Sequence, residues 1–111
     1  LARGLLAGAS PPPSQGRRAT DEVRKESQQH RAKLDAYEKL CREIEERPAD
    51  VALAWLLQQK IVTAPIIGPR TLEQVDQSLR TLEITLTSKT MTRLDEIFPG
   101  PGGPAPEAYA W

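Results

Sequence analysis

The chain has 111 residues, with 15 basic and 15 acidic side chains, one histidine and one cysteine. A hydrophobic share of 39% beside 27% charged residues excludes a disordered or membrane-embedded class. Zero net charge excludes a nucleic-acid binder that works through a bulk basic face. No apolar run approaches the roughly 18 residues of a membrane-spanning helix, and no signal-peptide pattern opens the chain. The lone Cys41 forbids an internal disulfide and fits a reducing, cytoplasmic compartment.

Residues 1–19 read as a loop, because Gly4, Gly8, Pro11, Pro12, Pro13 and Gly16 oppose regular structure. From about Thr20 to Glu46 the pattern is helical, with Leu34, Tyr37, Cys41 and Ile44 recurring every three or four residues as one apolar stripe. Pro48 suits the first position of a second helix. Val51 to Leu57 is apolar all round, which predicts a buried helix. Ile61 to Ile67 reads as a short buried strand between Lys60 and Gly68, with Pro65 tolerable only near its end. Thr71 to Leu82 forms the next helix, opened by the capping-box sequence "TLEQ" and carrying the stripe Leu72, Val75, Leu79 and Leu82. A last helix runs from about Ser88 to Phe98, capped by Thr87, with Met91, Leu94 and Phe98 inward. The tail "PGPGGPAPEAYAW" is irregular.

A single strand among four helices has no partner for its backbone groups, and burying those groups unpaired is costly. A strand this apolar calls for parallel neighbours, as in an α/β sheet or barrel. Together with the abrupt opening "LARGLLAG", this leads to the expectation of a C-terminal piece of a longer α/β protein.

The stretch "APIIGPRTLEQVDQSL" concentrates the features of a binding site. Ligands of α/β proteins bind beyond the carboxyl ends of the strands. Gly68 would end the strand there, permitting either a close backbone approach or an unusual φ. The helix starting at Thr71 would offer free N–H groups and a positive dipole end. Arg70 adds a planar, permanently charged fork suited to phosphate. The competing reading is an ordinary surface arginine after a βα turn. At about 100° per residue, Gln74, Gln77 and Ser78 share one face, with Glu73, Asp76 and Arg80 on the flank between them and the apolar stripe. Uncharged amides and a hydroxyl suit the edge of a nucleobase, or equally a solvated face with Gln74 completing the capping box.

Three blocks resemble the aldo-keto reductase superfamily, specifically its bacterial branch related to potassium-channel β-subunits. "RPADVALAWLLQQ" is similar to the helix before the eighth strand, and "APIIGPRTLEQVDQSL" to the cofactor-binding strand and helix. "LARGLLAG" with "PPPSQGRR" resembles the loop after the seventh strand, which covers the cofactor pyrophosphate. The resemblance implies that residues 1–111 are the C-terminal part of a (β/α)8 barrel binding NADPH, from the loop after strand 7 through strand 8 and the closing helices. It implies that Arg70 pairs with the adenosine 2′-phosphate, Gly68 and Pro69 line the approach, Gln74 hydrogen-bonds nearby, and Gln77 and Ser78 meet the adenine. Leu1 and Ala2 would contact the pyrophosphate or nicotinamide end, and Arg17 or Arg18 a phosphate. A basic residue frequent in that loop is replaced by Ala9.

The resemblance also implies reduction of aldehydes or ketones to alcohols, using an Asp, a Tyr, a Lys and a His from the N-terminal half of the family barrel. None of these can be placed here. His30 and Lys33 lie in a polar helix, Tyr37 and Cys41 on its inward face, and Tyr109 and Trp111 in the tail; no cluster has metal-ligand spacing. A barrel needs about 200 or more residues, so the chain alone is expected to be inactive. The partners expected are a small carbonyl substrate and the cofactor, with neither nucleic acid nor membrane; oligomeric state stays open. The alternatives are a truncated, non-catalytic module that binds nucleotide or a partner, and a helical interaction domain built on Thr20–Glu46.

Overall fold

In the computed structural model, which describes residues 2–8, 25 and 28–100, the helices are α1 (Arg31–Glu43), α2 (Pro48–Leu57), α3 (Leu72–Arg80) and α4 (Ser88–Ile97). The apolar stripe of α1 turns inward as its spacing predicts: Leu34, Tyr37 and Cys41 are buried, joined by Leu40. The helix ends on Glu45, which takes a φ of 58°, while Glu46 N–H donates to Cys41 O (3.0 Å) and Glu45 N–H to Arg42 O (3.2 Å). That is a Schellman closure with a glutamate where glycine is the usual choice.

Pro48 occupies the first turn of α2, whose residues Val51, Ala52, Leu53 and Ala54 are buried. The far end opens to solvent, with Leu57 37% exposed. Gln58, with its amide turned to donate to Leu86 O and accept from Leu86 N–H (3.1 and 2.9 Å), ties the end of α2 to the segment before α4. Thr87 caps α4 by accepting from Thr90 N–H (3.2 Å). Tyr37, Leu40, Cys41, Val51, Ala52, Ala54, Leu86 and Leu94 form the core, edged by Met91. Phe98, which the pattern turns inward, is 36% exposed, with its ring edge-on to Tyr37 at 5.8 Å. The Tyr37 hydroxyl donates to Pro48 O, so α1 and α2 are joined by both packing and a hydrogen bond.

Three expectations are corrected. Residues 1–19 are not loop throughout, because Ala2–Ala7 form a 3-10 helix that packs Leu5 against Leu34. Gly4 and Gly8 take φ values of 97° and 94°, so glycines read as breakers instead shape and end that helix. The helix expected over Thr20–Glu46 is interrupted by a turn at His30, although Lys25, Gln28 and Gln29 are helical. Against the α/β reading, no strand occurs among the described residues. Residues 61–71 are turns, bends and irregular backbone, with Ile61, Ile66 and Ile67 at 94%, 101% and 42% exposure. An extended segment becomes a strand only when a neighbour accepts its backbone hydrogen bonds, and among the described residues there is none.

The helix after it is also uncovered. α3 buries none of its residues: Leu72 and Leu79 are 83% and 56% exposed, and Leu82, in the 3-10 turn Thr81–Glu83 that follows, is 68% exposed. Of the apolar stripe read over residues 72–82, Leu72, Leu79 and Leu82 therefore face solvent and Val75 is half-buried. Thr81 alone in that turn is buried, and its hydroxyl has no hydrogen-bond partner.

Candidate functional site

The sequence of α3's first turn determines its local geometry. Thr71 is extended, and its side-chain oxygen accepts from Gln74 N–H (3.2 Å), as the N-cap threonine of a capping box does. The reciprocal bond is displaced by one residue, since Gln74 Oε1 accepts from Arg70 N–H (2.7 Å). Gln74 thereby fastens the Gly-Pro-Arg turn to the helix. One turn on, Gln77 Nε2 donates to Glu73 Oε1 (3.0 Å) and Ser78 Oγ donates to Gln74 O (2.7 Å).

Gln74, Gln77 and Ser78 form one side of a cleft of about 560 Å³. Gly68 and Pro69 lie at its edge, and Gln74, Gln77 and Ser78 along the α3 wall. Arg47, Ala49, Asp50 and Leu53 at the start of α2 form the opposite wall. Five of the residues read from the sequence as binding positions are thus brought together. Arg70 is exposed and does not line the cleft, but it adjoins Pro69, and its guanidinium pairs with no carboxylate among the described residues. Ala2 belongs to the N-terminal 3-10 helix, whose Ala7 reaches the cleft. Leu1, Arg17 and Arg18 lie outside the described residues, as do Ala9, Tyr109 and Trp111.

Gly68 narrows to one of its two sequence-based explanations. Its φ is not in the left-handed region, so an unusual backbone conformation does not explain it. A Cβ built there would meet nothing within 4 Å. Only something approaching from outside the described chain would require its bareness.

The α2 wall contains a charge cluster that pattern reading did not single out. Asp50, 2% exposed, receives a two-pronged contact from Arg47 (Nε at 2.8 Å, Nη2 at 2.9 Å) and a third hydrogen bond from Arg80 Nη1 (2.9 Å). The other prong of Arg80 reaches Glu46 Oε2 (2.8 Å). Glu46, and secondarily Asp50, raises the Arg80 pKa above its ordinary value. The i, i+3 spacing of Arg47 and Asp50 was available as a signal. Arg80 lies thirty residues beyond Asp50, and no local pattern connects them.

Elsewhere the titratable groups read as structural. Burial pushes the Cys41 thiol up to about 11 and raises the Tyr37 phenol above its usual range, so both stay protonated and inert near neutral pH. Exposed Glu43 is held below the usual carboxylate range by its hydrogen bond from Arg93. Among the described residues, no group of three or more His, Cys, Asp or Glu could hold a metal ion, and no helix is long and apolar enough to cross a membrane.

The chain is 46% identical over 114 residues to "Uncharacterized oxidoreductase YrpG" of Bacillus subtilis (strain 168), a match covering 100% of this chain and 34% of that protein. The chain therefore spans about a third of the length of this curated relative. The profile of the Aldo/keto reductase family matches residues 1–98, most of the 111, and the chain belongs to that family.

Proposed function

We propose that this chain is the C-terminal portion of an NADPH-dependent aldo-keto reductase barrel and holds the adenosine 2′-phosphate end of the cofactor. The parent protein would reduce a small aldehyde or ketone to its alcohol in a reducing, cytoplasmic compartment. The observation that carries this reading is the cleft edge at Gly68 and Pro69, flanked by the exposed Arg70, which meets no carboxylate among the described residues, and by the uncharged Gln77 and Ser78.

These groups fit an adenosine 2′-phosphate in chemistry. Arg70 supplies a fork for two phosphate oxygens. The bare backbone at Gly68 leaves room for approach. Gln77 keeps its side-chain oxygen, and Ser78 its lone pairs, for the edge of a base. Gln74, bonded at both its oxygen and its backbone N–H, serves by fixing the turn that presents Arg70. Leu1, Ala2 and Arg17, or Arg18 in its place, would meet the pyrophosphate side. The cofactor, when bound, supplies the hydride. The family's Asp, Tyr, Lys and His have no counterparts assigned in this chain, so its own residues bind and orient without carrying out the proton transfer. The apolar residues 61–67 and the open α3 stripe would suit strand 8 and its helix within a barrel, where the neighbouring strands would supply the missing pairing.

The test is a titration of the chain with NADPH and NADH, followed by nicotinamide fluorescence. NADPH should bind the more tightly, and Arg70→Ala should abolish that preference by removing one charge-assisted bidentate contact, about a tenfold or greater effect. Equal binding of both cofactors by the unmodified chain refutes the reading of Arg70. Carbonyl-dependent NADPH oxidation by the 111-residue chain alone refutes the absence of catalytic residues.

A further inference from the structure

α3 forms one wall of the cleft, yet none of its residues is buried: Leu72 and Leu79 are exposed, and Val75 is the one apolar residue of the helix that is half-buried. Hydrophobic packing therefore contributes little to holding the helix against α2. At its N-terminal end it continues from the Gly68–Pro69–Arg70 turn, fastened by Gln74. At its C-terminal end the attachment is Arg80, whose guanidinium reaches back to Asp50 and Glu46, together with the buried Thr81 that follows.

We propose that Arg80 is a positioning residue, whose fork across Asp50 and Glu46 sets the width of the cleft between α2 and α3. Two features make this more than a surface ion pair. The accepting carboxylate, Asp50, is buried and already held at both oxygens by the two prongs of Arg47, one of them sharing Oδ2 with Arg80, which limits how far it can shift to follow a moving partner. The two prongs of Arg80 also go to different acceptors four residues apart, which fixes the guanidinium plane as well as its distance. Asp50 and Arg47 themselves line the cleft, so the tether is anchored within the opposite wall. Loss of the fork would free the α3 wall, with Gln77 and Ser78 on it, to move against Arg47 and Leu53.

The functional consequence rests on the adenosine reading, whereas the geometric one does not. An experiment that reports both keeps them apart. Nitroxide labels at Lys39→Cys on α1 and Asp76→Cys on α3, both exposed positions, report the spread of distances between α3 and the helical body. Cys41 can stay in place, being buried and protonated. Arg80→Met should broaden that distribution without nucleotide present, and Arg80→Lys, which reaches only one carboxylate, should broaden it less. In the same variants NADPH and NADH should lose affinity together, by about tenfold for Arg80→Met, since a misplaced wall costs preorganisation for the part both cofactors share. An unchanged distribution in folded Arg80→Met overturns the tether. A loss confined to NADPH overturns it as well, because Arg80 would then act on the phosphate. Should Arg80→Met not fold, Glu46→Gln weakens the outer prong alone, and an unchanged distribution there is equally decisive against it. Broadening in a chain that binds neither cofactor upholds the tether and refutes the adenosine reading.

Discussion

Two regions of this chain have similar apolar composition and opposite fates. In the body built by α1, α2 and α4, Leu40, Cys41 and Val51 are completely buried. Between residues 61 and 82, Ile61, Ile66, Leu72 and Leu82 are at least 68% exposed, although they follow patterns just as regular. The body closes on itself because α1 and α2, joined by a short turn, and α4, which the chain brings back after residue 83, bury one another's stripes. The second region presents a strand's sequence and a helix's stripe without a covering layer among the described residues. A hydrophobic pattern specifies which face wants cover; it does not supply the cover.

The contrast can be broken most directly by paired truncations. Leu40→Ala should cost about 3 kcal/mol, the usual price of a large-to-small change in a packed core. Leu72→Ala, at 83% exposure, should cost less than about 0.5 kcal/mol. Urea unfolding of both variants measures the difference, and equal costs would mean that the α3 stripe is covered in solution.

Alkaline pH probes the body alone. Cys41 titrates at about 11 when folded against 9.0 in the reference state, and burial moves Tyr37 upward too. Both groups are neutral when protonated, and their folded pKa values are raised. The Cys41 contribution is therefore fully present below pH 9.0 and is lost as pH rises towards 11, whereas that of Tyr37 begins to fall only above 10.0 and is lost at still higher pH. The Cys41 shift corresponds to a loss of about 2 to 3 kcal/mol across that range. Thermal unfolding between pH 8 and 11 should show this decline, and Cys41→Ala should flatten it.

The junction between the regions is tested by Asp50→Asn, which should cost about 2 kcal/mol. That is below the usual cost of breaking a buried pair, because the two arginines left behind are half-exposed and can turn to water. A still smaller effect, and a gain, is expected from Glu45→Gly, which relieves a left-handed glutamate and should add about 1 kcal/mol by the same urea assay. A loss there would mean that the Schellman closure depends on the glutamate side chain.

Much of this was legible in the sequence, and the failures have physical causes. Pro48 and the two threonine caps announced their helices because capping is a local transaction between residues three apart. Leu34, Tyr37 and Cys41 revealed the inward face of α1 by periodicity, though Leu40, the most enclosed leucine, was not singled out. The strand expected at residues 61–67 does not form among the described residues, because strand formation is a property of pairs and a single segment shows only half of one. The site was legible in part: Gly68, Pro69, Gln74, Gln77 and Ser78 are sequence neighbours, and one turn and one helix gather them. Arg47, Asp50 and Arg80 were missed as a unit because their meeting depends on how α3 lies against α2.

Amide chemical-shift mapping of the isotopically labelled chain, titrated with adenosine 2′-phosphate, tests the central claim most directly. The account predicts the largest shifts at Gly68, Arg70, Gln77 and Ser78, with little change at Tyr37, Leu94 and Phe98, which line a separate apolar groove. Shifts concentrated in that groove, or none at Gly68 and Arg70 at saturating nucleotide, would contradict it.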